Sequence, residues 1–144
     1  MPRYFTLAEA QAALGQLEAW LREATELKAA LDDAEGEFHA EAERIRITGG
    51  AVARRETVVD VLRRREAAAA RLRAVIESIQ ASGCLVKDLD AGLLDFPTLL
   101  RDREVYLCWK LGEPEIAFWH GIEEGFRGRK PIEQDFLDHH RGQE

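Results

Sequence analysis

Apolar residues recur every three or four positions over the first eighty residues and in strand-like alternation after that. In residues 6–47 they fall at Leu7, Ala10, Leu14, Leu17, Leu21, Ala24, Leu31, Phe38, Ala42 and Ile45. The 3,4 spacing is a heptad stripe, interrupted at Lys28 and Glu35, and it predicts a helix seated along another helix. Trp20 and Leu27 widen the stripe toward an adjacent face, and Gly36 is a soft spot inside it. Thr6 and Glu9 make a capping box at its start, with Thr6 as N-cap and Glu9 at N3. Phe5, one residue before the cap, has only Ala10 as a partner along the helix.

The run breaks at Thr48-Gly49-Gly50, where glycine supplies the dihedrals of a helix end. A second helical pattern covers residues 50–82 through Val52, Val58, Val59, Leu62, Ala69, Leu72, Val75, Ile76 and Ile79. Ser82-Gly83 reads as its stop. Charge supports antiparallel pairing of the two. Residues 6–47 hold ten acids and four bases, net −6, and residues 50–82 hold four acids and seven arginines, net +3. The arginines Arg63, Arg64, Arg65, Arg71 and Arg73 read as a solvated face paired with the first helix rather than as a nucleic-acid surface.

From Cys84 the period becomes two. Four strands are expected in "CLVKDL", "LLDFPTLL", "VYLCWKL" and "IAFWH", joined by short turns into an antiparallel meander. Gly92 suits positive φ in the first turn. Pro97 is expected to end or bulge the second strand. Residues 115–124 also allow a helix, but Gly121 and the clustered aromatic residues favour a strand. Pro131 is placed at N1 of a short C-terminal helix, and "HHRGQE" at the end is expected to fray. The expected fold is therefore α+β. A long helical hairpin spans residues 1–83, a small antiparallel β-meander packs on it at 84–132, and residues 133–144 form a tail.

Composition narrows the partners. The chain has 144 residues and a net charge of −7, which disfavours phosphate backbones and so nucleic acid. No stretch approaches the roughly 20 apolar residues of a membrane span. The N-terminal MPRYFTLAEA has no apolar leader core. A cytoplasmic protein with Cys84 and Cys108 reduced is expected.

Signatures of phosphate-binding loops, dinucleotide folds, serine hydrolases and zinc proteases are missing. Cys108 and His120 would make a nucleophile–base pair only if they met across a hairpin. The register that gathers apolar residues on one face sets Leu107 opposite His120, Trp109 opposite Phe118 and Leu111 opposite Ile116. It leaves Cys108 beside Trp119. "DLDAGLLD" fails the calcium-loop spacing, with Leu93 at the invariant glycine position and Leu99 at the bidentate glutamate. Asp88, Asp90, Asp95, Glu113, Glu115 and His120 are scattered hard ligands, a weak metal signal. The bland reading is that Asp88 and Asp95 bond turn amides while His120 donates to a backbone carbonyl. "FRGRKP" could hold an anion, but Glu123 and Glu124 are close enough to neutralise it.

Three stretches together, "YFTLAEAQAAL", "VKDLDAGLLDFP" and "YLCWKLGEPEIAFWHGIEEGFRGRKPI", resemble an uncharacterised bacterial family, domain of unknown function 2203. The resemblance runs nearly to Ile132. It implies a signature in the β-region, at Lys87, Asp88, Gly92, Asp95, Phe96, Pro97, Cys108, Trp109, Gly112, Glu113, Trp119, His120 and Arg129, and it implies no reaction. Lys130 departs from the glutamine more usual there.

Two functions follow. The first is a dimerising interaction module without catalysis or cofactor, a homodimer through coiled-coil packing of the hairpin, with a further protein partner possible. A helix of about 40 residues is about 60 Å long, and four short strands span only about 20 Å, so much apolar width needs a second chain. The second is a small-ligand or metal-binding protein, or an enzyme, using Asp88, Asp95, Trp109, Glu113, Trp119, His120 and Arg129. Convergence of those residues on one open pocket would favour the second.

Overall fold

The computed structural model describes residues 3–49 and 55–143. Helix α1 spans Leu7–Thr48 and helix α2 spans Arg55–Ala81. The predicted start of the second helix, with Gly50 and Val52, lies outside the described residues. The strands are β1 Leu85–Asp88, β2 Leu93–Leu100, β3 Arg103–Lys110, β4 Phe118–Gly121, β5 Lys130–Pro131 and β6 His140–Arg141. A 3-10 turn covers Phe126–Gly128, and a short helix α3 covers Gln134–His139. The chain divides into a sheet unit, Met1–Arg22 with Ile76–Glu144, and a hairpin unit, Glu23–Val75. The architecture is α+β, as the periodicity indicated.

The capping box closes α1 reciprocally. The Glu9 N–H donates to Thr6 Oγ1 at 3.1 Å, and the Thr6 N–H donates to Glu9 Oε1 at 3.0 Å. Phe5 is buried against Phe96, with edge-on rings 5.4 Å apart, and does not staple to its own helix. At the other end of α2, Gly83 turns the chain with φ 97.

Within the hairpin unit, ion pairs link the helices. Glu23 meets Arg71 at 2.7 Å, Glu35 meets Arg65 at 3.6 Å, and Glu37 meets Arg64. Residue numbers rise along α1 as they fall along α2, the signature of antiparallel pairing. The arginine run thus faces carboxylates, with Asp60 and Glu66 taking Arg63, Arg64 and Arg73. Burial departs from the predicted heptad positions beyond Ala24. Ala34 and Glu41 are buried, while Ala42 and Ile45 are exposed.

The sheet runs β1-β2-β3-β4-β5, all antiparallel, with β6 pairing with β2. In β2 and β3, Leu94, Phe96, Thr98, Val105, Leu107 and Trp109 are buried on the face that receives Phe5. The opposite face carries Asp95, Tyr106, Cys108 and His120, and these are buried too.

Three expectations about this unit fail. Pro97 neither ends nor bulges β2, which pairs without interruption from Leu93 to Leu100. The Pro97 carbonyl accepts the Phe5 N–H at 2.7 Å. An extended residue points its N and its C=O to one side, so the missing donor faces the gap between β1 and β6, where no ladder needs it. Pro131 does not open a helix. It pairs with Phe118 in the edge strand β5, and α3 starts three residues later. The tail does not fray. His140–Arg141 pairs with Leu99–Leu100, and the Gln143 N–H bonds the Tyr4 carbonyl. His140 Nε2 accepts the Leu7 N–H at 3.0 Å. Gly142 is buried where a Cβ would lie 2.7 Å from Glu9 Oε1.

Candidate functional site

The site begins with register. β3 and β4 pair Tyr106 with His120, Leu107 with Trp119 and Cys108 with Phe118. This is one residue from the expected pairing of Leu107 with His120. Residues 111–117 form an irregular connection longer than a tight turn, and Ile116 leaves the ladder to bond Gln11 Oε1 through its N–H at 3.0 Å. Trp119, more apolar than His120, takes the place opposite Leu107. A one-residue slip exchanges faces, so His120 moves to the face that already holds Asp95 and Cys108, themselves cross-strand partners.

Three adjacent strands therefore deliver a carboxylate, a thiol and an imidazole to one spot. Asp95, Cys108 and His120 are 2%, 1% and 3% exposed. One ligand-type atom from each lies within 4.8 Å of the other two. Both Asp95 oxygens approach His120 Nε2, at 3.1 and 3.0 Å, and His120 Nδ1 is 2.8 Å from the Gly121 carbonyl. A carbonyl only accepts, so Nδ1 carries a proton and donates it. Nε2 and the carboxylate are then held together by a second shared proton. Burial drives the Asp95 carboxyl above the ordinary carboxylate range, while His120 and Lys87 oppose that rise. Burial, reinforced by Asp95, pushes the Cys108 thiol up to about 12, with Arg129 pulling the other way.

This geometry is not a nucleophile–base pair. Both imidazole nitrogens are engaged, by Asp95 and by Gly121, and Cys108 is held as a buried thiol.

Arg129 flanks the cluster, and its charge works against the rise of the Cys108 thiol. Its guanidinium lies between the rings of Phe118 and Phe126, 4.0 and 4.3 Å from their centroids. It makes a bidentate pair with Glu113 at 2.9 and 2.7 Å. Glu113 Oε1 also accepts the Lys110 N–H at 2.7 Å. Burial would raise the Glu113 carboxyl, but Arg129 and the Lys110 amide together hold it below its ordinary value.

The seven candidate residues thus separate. Asp95 and His120 join, and Glu113 and Arg129 join beside them. Asp88 is exposed on β1, where Oδ1 accepts the Ala91 N–H at 3.0 Å and shapes a turn. Asp95 does not act on a turn amide as Asp88 does. Trp109 is buried on the opposite face, its indole N–H bonded to the Glu113 carbonyl at 3.1 Å. Trp119 packs against Phe136, rings 5.2 Å apart, on the far face from His120. Two surface grooves of the sheet unit, about 660 and 690 Å³, take only Trp119 from the seven. Cys108 is the member that the candidate set omitted. Its place two strand residues from Tyr106 would have grouped it with His120 once the register was known.

The sequence profile described as an uncharacterised conserved protein, DUF2203, matches residues 3–132. No curated protein and no solved structure matches the chain.

Proposed function

This chain belongs to the DUF2203 family of uncharacterised conserved proteins, and we propose that it works as a dimerising interaction module. Its hairpin unit associates with a second copy by coiled-coil packing. The observation that carries this reading is the composition of the hairpin unit's buried seam. Among its described residues only Ala24, Ala34, Glu41, Val61, Ala68 and Val75 are buried. Leu27, Leu31, Phe38, Val58, Leu62 and Leu72 stay half-buried, and Ile45, Ile47 and Val59 are exposed. Two alanine-rich helices enclose little apolar volume between them, and two hairpins packed face to face enclose far more.

A groove of about 470 Å³ runs over Leu27, Ala30, Ala67 and Ala68 and is rimmed by Asp33, Glu37 and Arg64. A rim with both signs of charge suits an identical partner related by a two-fold axis. The small-ligand reading has less support, because Asp95 with His120 and Glu113 with Arg129 satisfy one another rather than open onto solvent. Buried, unpaired Cys84 and Cys108 suit a reducing compartment, in keeping with a cytoplasmic module. No helix among the described residues is long and apolar enough to cross a membrane.

Sedimentation equilibrium of the full chain at micromolar concentration tests the proposal. The expected species has about twice the 16.3 kDa chain mass. Ala67 is exposed, so Ala67→Glu leaves the single-chain fold intact and returns the mass to 16.3 kDa. A wild-type chain that stays at 16.3 kDa overturns the reading.

A further inference from the structure

We propose that Asp95, Cys108 and His120 bind one divalent transition metal of the zinc class. The inference stands apart from dimerisation and uses only the sheet unit. Its starting point is the meeting of Nε2 with both oxygens of Asp95 at 3.0–3.1 Å in a buried site. With Nδ1 donating to the Gly121 carbonyl, Nε2 meets the carboxylate across the shared proton, and loss of that proton frees its lone pair. Two electron-rich groups so placed need a positive centre between them, and a metal ion fills that role as well as a proton does. A ligating histidine characteristically donates its other ring N–H to a carbonyl or carboxylate, which fixes the ring and aims the lone pair. Gly121 supplies that second contact here.

The third ligand selects the metal. A nitrogen, a thiolate sulfur and a single carboxylate form a borderline-soft set that suits zinc and not calcium or magnesium. Zinc bonds of about 2.0–2.3 Å put tetrahedral ligand atoms roughly 3.3–3.8 Å apart. The Asp95–His120 contact must widen by a few tenths of an ångström on that scale. Cys108, within 4.8 Å, draws in by at most about 1.5 Å. Water takes the fourth position.

Charge also balances. Without metal, the carboxylate and imidazole share one extra proton and the thiol is neutral, so the cluster carries no net charge. On binding, that shared proton and the Cys108 thiol proton leave, and the dication faces one carboxylate and one thiolate. The net charge is again zero, so the buried site accepts the ion without an uncompensated charge. The positive charge of Arg129 favours the thiolate over the thiol. Glu113 neutralises Arg129, and Phe118 with Phe126 holds its plane. The Arg129 side chain is itself only 16% exposed.

The test uses the full chain, freed of metal by chelation and titrated with Co²⁺ and then Zn²⁺. One equivalent of Co²⁺ is expected to give a thiolate-to-cobalt charge-transfer band, which Zn²⁺ abolishes. The band is kept in Cys84→Ser and lost in Cys108→Ser, whose Zn²⁺ affinity falls on the order of a hundredfold or more. Should Cys108→Ser fail to fold, the wild-type chain decides alone. Zn²⁺ must shift the ¹⁵N resonance of His120 Nε2 and leave Nδ1 protonated. A folded protein that gives no thiolate band with Co²⁺ overturns the proposal. So does a band that survives in Cys108→Ser, or a His120 Nε2 resonance indifferent to Zn²⁺.

Discussion

In the sheet unit the fully buried side chains include Trp109, Phe5, Phe96, Leu17, Leu21, Leu94 and Leu107. In the hairpin unit the largest buried apolar residues are Val61 and Val75, and the rest of the seam is alanine with one glutamate. One region is specified by shape, since large side chains tolerate few alternative packings. The other is specified by charge, through Glu23–Arg71, Glu35–Arg65 and Glu37–Arg64. Those side chains are a third to more than half exposed, and exposed pairs set register better than they set stability. The contrast suggests why one chain would combine them. A rigid sheet unit can hold a buried polar cluster in place, and a thin hairpin leaves apolar side chains half-buried or exposed.

Truncation of an aromatic residue in each unit puts this to its strongest test. Phe96→Ala removes a fully buried ring that packs on Phe5, and about 3–5 kcal/mol of stability should go with it. Phe38→Ala in the hairpin removes a half-buried ring and should cost about 1–2 kcal/mol. If a second chain covers Phe38, that smaller loss grows as protein concentration rises, whereas the Phe96 loss does not. Urea unfolding at two concentrations separates the cases. Equal losses for the two variants, independent of concentration, would erase the distinction between the units.

Acid sharpens the comparison from the other side. In the sheet unit, burial raises the Glu113 carboxyl, but Arg129 and the Lys110 amide outweigh it and leave it below 4.5. A carboxyl depressed in the folded state contributes stability above its unfolded value and loses that contribution as pH falls through the folded one. The wild type should therefore lose, on acidification below about pH 4.5, a stabilisation that Glu113→Gln lacks at every pH. At neutral pH the variant should be weaker by about 1.5–3 kcal/mol, the range for hydrogen bonds to a charged group. Glu23→Gln in the hairpin removes an exposed pair with Arg71 and should leave the melting temperature unchanged within error. Parallel acid titrations of wild type and Glu113→Gln monitored by melting temperature would refute the assignment.

Much of this was readable from residue order, and the failures have a common physical origin. Helix limits followed from Thr6, Glu9 and Gly83 because capping is local chemistry. The β2 and β3 segments followed from alternation, and Gly92 takes its expected positive φ. The β3–β4 register did not follow. Apolar alternation selects a register only when one face is wet, and here Tyr106, Cys108 and His120 are as buried as Val105 and Leu107. The polar trio was missed for the same reason, since its assembly depends on that one-residue choice. The tail was misread because its order rests on long-range contacts, His140 on Leu7 and Gly142 on Thr6, that leave no local pattern.

The smallest expected effect separates the units by sign. Gly36 lies inside α1 in the hairpin unit, without positive φ, and a Cβ added there meets nothing within 4 Å. Alanine at a helix interior avoids the entropy glycine loses on folding, so Gly36→Ala should stabilise by about 0.5–1 kcal/mol. Gly92 in the sheet unit has φ 71, and its Cβ would stand 2.7 Å from the Cβ of Leu111. There the same substitution should destabilise by about 1–2 kcal/mol, the cost of a left-handed conformation for a residue with a side chain. Both values come from chemical denaturation at low protein concentration. A loss of stability for Gly36→Ala that appears only as concentration rises would mean that another chain packs against that glycine. It would locate the dimer contact on this stretch of α1. A loss at every concentration would mean instead that α1 carries strain at Gly36, and the view of the hairpin as an open, loosely filled pair of helices would have to be given up.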